Sequence, residues 1–116
     1  METEFKSEVD VVDSVRELAV ESVHLCRKVA KDPAGEILAA EFLKAVLDAG
    51  FWLAGRNHAP EACAELRKAI FCFEILIESR LASDSDILPL LDKAHRLCAL
   101  LNRPVDHPVP AMMPGE

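Results

Sequence analysis

The sequence predicts an all-α fold: an antiparallel up-down four-helix bundle with a disordered Pro-rich C-terminal tail. Three observations carry this expectation. Apolar residues recur at helical spacing along most of the chain, with no sustained alternation of period two. Pro33, Pro60 and the cluster Ser83-Asp84-Ser85-Asp86 divide the periodic segments by short connections, which favour antiparallel neighbours. A chain of 116 residues holds one hydrophobic core and leaves no room for a second.

The first helix is expected over residues 8–31. Its inward stripe runs Val11, Val12, Val15, Leu18, Ala19, Ser22, Leu25, Cys26, Val29 and Ala30, the spacing of a bundle helix packed on one face. Ser7 and Asp10 form an imperfect capping box at its start. Pro33 ends it, because the residue before a proline avoids the α region. A second helix follows over 33–54, with Asp32 as its cap, Pro33 in its first position and Gly55 as a left-handed stop. Apolar residues wrap most of this helix, and only Glu41, Lys44 and Asp48 make a narrow polar stripe. A helix apolar nearly all round is expected to be covered nearly all round. Its neighbours within one small bundle do not suffice for that.

The third helix is expected over 60–82, with the core stripe Leu66, Ala69, Ile70, Phe73, Leu76, Ile77 and Leu81. Phe71 and Ile75 fall on its solvent side. Residues 86–102 form the fourth helix, with Ile87, Leu90, Leu91, Ala94, Leu97, Cys98 and Leu101 inward and Pro89 in the first turn, where proline is tolerated. Residues 103–116 hold four prolines and read as the tail.

Composition excludes several classes of function. Thirteen Lys and Arg against twenty Asp and Glu give a net charge of −7, which disfavours a binder of nucleic acid through diffuse positive charge. Of the two basic ends that the topology could assemble, one gathers Arg27, Lys28, Lys31 and Arg80, and the other, the candidate anion or RNA patch, holds Arg56, Arg67, Lys68, Arg96 and Arg103. These five are the candidate nucleic-acid contacts. The acidic opening Met1-Glu2-Thr3-Glu4-Phe5 lacks the basic and apolar regions of a secretory signal. No apolar run approaches the ~20 residues of a membrane span. The chain is expected in the cytoplasm, without a membrane partner.

Catalytic and metal chemistry find no footing in the motifs. Glu21 with His24, and Asp92 with His95, have the carboxylate-x-x-His spacing of di-iron bundles. Their register turns both pairs away from the inward stripes, so no metal site is expected. Cys26, Cys63, Cys72 and Cys98 show no CxxC spacing and are expected as small buried hydrophobes. Neither a catalytic residue nor a cofactor is expected. The surplus apolar surface is the stronger signal. Phe51, Trp52, Phe71 and Ile75 are the candidate interface residues, since exposed aromatic patches mark partner surfaces. A protein partner or a second copy would cover them.

From Val15 to Leu101 the lengths and order of the four helices resemble one bacterial family. In the second helix Lys44-Ala45, Asp48-Ala49 and Trp52-Leu53-Ala54-Gly55-Arg56 stand where that family carries Arg-Ala, a Ser-Ile step and Asn-Ile-Ala-Glu-Gly. In the third, Leu66-Arg67-Lys68-Ala69 and Cys72-Phe73-Glu74 are similar to its Leu-Arg-x-Ala and Ser-Leu-x-Glu steps. The family comprises four-helix-bundle proteins encoded in intervening sequences of large-subunit ribosomal RNA genes, including accessory proteins of diversity-generating retroelements. The resemblance implies a bacterial, homo-oligomeric ring, often a pentamer, without enzyme activity. For the retroelement members it implies contact with nucleic acid and a reverse transcriptase.

Overall fold

The computed structural model describes residues 8–56 and 58–102, apart from the side chains of residues 8–10 and 56. The expected tail at 103–116, with Arg103 in it, and Ser7 of the expected capping box lie outside the described residues. Four α-helices make up the structure: α1 (Glu8–Val29), α2 (Pro33–Phe51), α3 (Ala59–Glu78) and α4 (Asp84–Leu101), with a π-helical turn over Trp52–Arg56 between α2 and α3. Each helix packs on its neighbours in the chain, and α4 closes the bundle against α1. Among the described residues the backbones of the diagonal pairs stay apart, with no Cα atoms within 8 Å of each other.

Side-chain contacts fix the antiparallel order. The Cys26 thiol donates to the Ala39 carbonyl at 3.6 Å, while Val15 lies against Gly50 at the far end of α2. Phe42 of α2 meets Phe73 of α3 with ring centroids 5.1 Å apart. Cys63 and Cys98 join α3 to α4. Lys28 reaches Asp86 at 2.9 Å, so the end of α1 sits beside the start of α4.

On α1, α3 and α4 the inward stripes are those that the periodicity predicts, while α2, apolar nearly all round, turns Ala39, Phe42, Val46 and Ala49 inward. Val15, Leu18, Leu25 and Val29 of α1 join Phe42, Val46, Leu66, Phe73, Leu76, Ile87 and Leu97 in one core. Ala30, expected inward, is exposed, because α1 ends at Val29 before the turn into Pro33. Ser22 is buried in the core with its hydroxyl unpartnered. Asp32 caps α2 as expected, its carboxylate accepting from the Ala34 and Gly35 amides at 2.8 and 3.3 Å.

Besides the end of α1, three helix ends differ from the expectation by two residues or more. Gly55 takes no left-handed conformation; α2 instead widens into the π turn, where the His58 amide donates to the Trp52 carbonyl at 3.0 Å. A single wide turn of this kind absorbs one extra residue in a helix. Secondly, α3 stops at Glu78, short of Ala82, because Arg80 enters the left-handed region at φ 63°. The Leu81 amide then donates to Leu76 O and the Arg80 amide to Ile77 O, both at 3.0 Å. This pair of bonds is the Schellman arrangement, whose left-handed position usually holds glycine. Lastly, Ser83 caps α4 through the Asp86 amide, so α4 begins at Asp84 and Pro89 falls in its second turn, not its first.

The non-glycine residue at a left-handed position has a measurable consequence. Arg80→Gly should raise stability by about 1 kcal/mol, the strain of a side chain in that region. Urea denaturation checks it; an unchanged midpoint would mean that Arg80 sits there without strain.

Candidate interaction surface

The sequence picks out four interface residues, and the structure places Phe51 and Trp52 at the end of α2 and Phe71 and Ile75 on α3. Phe51, the last residue of α2, is 69% exposed, and Phe71 on α3 is 63% exposed. Ile75 is half-buried. Trp52 is half-buried too, and its ring stacks on His58 at 5.2 Å and 15°. It thus has a partner within its own chain, at the link between α2 and α3.

Phe51 belongs to a groove between α1 and α2. Val12, Arg16, Ala19, Leu47, Gly50 and Ala54 line it with Phe51 and enclose about 190 Å³. The surface of α1 and α2 is richer in apolar residues than the four candidates suggest. Val20 and Val23 of α1 and Ile37 and Leu47 of α2 are also exposed. Ile37 at 66% is nearly as open as Phe51. The sequence shows Ile37 and Leu47 as apolar residues of an all-round apolar helix, but only the packing of α1 and α3 tells which sector stays uncovered.

Two of the basic candidates are matched by carboxylates on their own helices. Lys68 lies 3.5 Å from Glu65, and the Arg96 guanidinium 3.2 Å from Asp92. Arg67 is exposed. Neither the Arg56 side chain nor Arg103 is among the described residues. The i,i+3 and i,i+4 spacings of the two ion pairs were present in the sequence and were the signal for local neutralisation. Exposed pairs of this kind add little to stability, but they lower the positive potential that an anion would meet.

The carboxylate-x-x-His pairs face outward as their register predicts: Glu21, His24, Asp92 and His95 are all exposed. Glu21 instead joins Glu17 in a salt bridge to Lys93 of α4, at 3.4 and 3.3 Å. Among the described residues no three His, Cys, Asp or Glu side chains converge as metal ligands. Cys63, Cys72 and Cys98 are buried, and Cys26 is half-buried. Burial raises the Cys26 and Cys72 thiols above their ordinary range. Cys98 is pushed up to about 12, first by burial and then by its contact with the Cys63 thiol. Thiols held protonated in this way are poor nucleophiles.

Along the outer side of α2, Lys44 donates to Asp48 at 2.8 Å. That hydrogen bond and the Asp48 charge hold its ammonium above the ordinary lysine range. The fold and this surface define an all-α four-helix bundle with exposed apolar ground on α1, α2 and α3. No helix of the described residues is long and apolar enough to cross a membrane. Comparison with protein-family models, with curated proteins and with solved structures gives no match.

Proposed function

We propose that this protein is a non-enzymatic helical-bundle subunit that self-assembles and serves as an assembly or adaptor element through the apolar faces of α2 and α3. The observation that carries the reading is the outward placement of two phenylalanines, Phe51 and Phe71, on a chain whose core is already filled by Phe42 and Phe73. Burying an exposed phenylalanine against a partner is favourable by roughly 1.5–3 kcal/mol. Aromatic anchors of this size dominate interface energetics. The Cys72 and Cys98 thiols, held protonated by burial, support a role without catalysis.

Size-exclusion chromatography with light scattering tests the reading. The protein should elute as a multimer with a protein-like 260/280 nm ratio. Phe71→Glu, at an exposed site, should leave the helical content unchanged and yield a smaller species. An unchanged mass for that folded variant would remove Phe71 from the interface. A raised 260/280 ratio that falls after a salt wash would transfer the assignment to nucleic acid, since phosphate contacts weaken steeply with salt.

A further inference from the structure

We propose that α2 pairs with α2 of a second copy, antiparallel and about a two-fold axis, along the row Ile37, Ala40, Lys44, Leu47 and Phe51. The proposal rests on the self-assembly reading and gives its α2 contact a geometry; Phe71 of α3 belongs to a separate contact. All five residues are exposed, and they follow one another at spacings of three, four, three and four. That is the repeat of a coiled-coil seam. The buried stripe of α2 (Ala39, Phe42, Val46 and Ala49) lies on its other side. The helix therefore carries two seams, one for its own bundle and one facing out.

The sizes along the outer row select the antiparallel arrangement. Two such rows laid antiparallel place Ala40 opposite the partner's Phe51 and Lys44 opposite the partner's Leu47, a small or slender side chain against a bulky one in each layer. Ile37 then faces the partner's Ala54, an exposed small residue in the π turn. A parallel arrangement would stack Phe51 on Phe51 and set the two Lys44 ammonium groups against each other. In the antiparallel one, each Lys44 lies between its own Asp48, already at 2.8 Å, and the partner's Asp48, which follows the Leu47 that it faces. Charge and shape thus agree on one register.

The row runs from Ile37 to the end of α2 at Phe51, about 21 Å at 1.5 Å per residue. One seam of that length is at the low end of stable interfaces. Val12 and Ala19 of α1, which line the groove that Phe51 and Leu47 share with α1, would widen the contact. A row complementary to itself makes a contact that closes at two copies, whereas a ring needs two different faces meeting head to tail.

Cysteine pairing tests the register. Lys44→Cys and Leu47→Cys are prepared separately, both at exposed positions, and oxidised with glutathione disulfide alone and as a mixture, with the unsubstituted protein as the control for native thiols. The mixture should lose its monomer band to a disulfide-linked dimer faster than either variant alone. Lys44→Leu, which removes a charge from the seam, should lower the dimer dissociation constant about tenfold. Rapid dimerisation of Lys44→Cys alone would indicate parallel rows and overturn the proposal. Multimers by light scattering with no cross-linking in the mixture would place the contact on another face: self-assembly stands and the α2 seam falls. A monomer at every concentration would remove both.

Discussion

Gly35→Ala should lower the stability of the bundle by about 3 kcal/mol, a cost in the upper range for overpacking. The direction is not obvious, because Gly35 lies within α2 and helix propensity alone favours alanine there by about 1 kcal/mol. The close approach of α1 decides the sign. A Cβ on Gly35 would overlap the Val29 carbonyl oxygen and stand 2.9 Å from its carbon. What it meets is backbone, not the flexible end of a side chain. That carbonyl also accepts the Asp32 amide at 3.2 Å, while the Asp32 carboxylate caps the helix that Gly35 belongs to. Moving Val29 therefore disturbs the turn, the cap and the end of α1 together. Gly50→Ala is the matched contrast. There the new methyl would meet Val15 Cγ1 at 3.5 Å, an ordinary contact, so propensity wins and stability should rise by about 0.5–1 kcal/mol. Urea denaturation of both variants checks the pair. Equal stability of Gly35→Ala and the parent would show that the α1–α2 turn has slack.

Phe42→Ala should cost about 4 kcal/mol, the usual loss for a fully buried phenylalanine. Phe42 and Phe73 are both fully buried, and their rings meet tilted at 51° between α2 and α3. The substitution removes both the transfer of the ring from water and the contact with its neighbour, and helices fixed by the rest of the core cannot collapse fully into the space. A double-mutant cycle with Phe73→Ala should give a coupling of about 1 kcal/mol, typical of an aromatic pair. Additive losses would mean that each ring is held by the aliphatic core and not by the other.

These residues also show what could be read from the sequence and what could not. The four helices, their order and the inward faces of α1, α3 and α4 were legible because burial in a bundle repeats at the helical period, so Leu18, Leu66 and Leu97 announce themselves. The ends were less so. Gly55 has the composition of a helix stop, yet the chain widens there, while Arg80 takes the left-handed position that usually signals itself by glycine. Propensity identifies residues suited to a conformation, and tertiary contacts decide which position adopts it. Pro89 shifted from the first turn to the second because the Ser83 cap starts α4 two residues earlier than expected. On the surface, Phe51 and Phe71 were visible as surplus apolar residues. The Ile37-to-Phe51 row was not, since a helix apolar all round gives no phase from which to tell its inner stripe from its outer one. Ile75 and Trp52 were found partly covered by their own bundle.

The π turn after Phe51 has a consequence for how the chain can vary. A turn of α-helix with one residue too many has no slack, and an insertion within it rotates every later side chain by about 100°. Trp52–Arg56 already holds such a surplus, absorbed between the last exposed residue of α2 and the first turn of α3. The phase of α3 against the core is therefore set independently of the residue count of α2. Loss or gain of a residue in this segment would tighten or widen the turn and leave both helices in register. Gene variants that differ in length should accordingly differ here, at a built-in joint, before they differ anywhere inside the four helices.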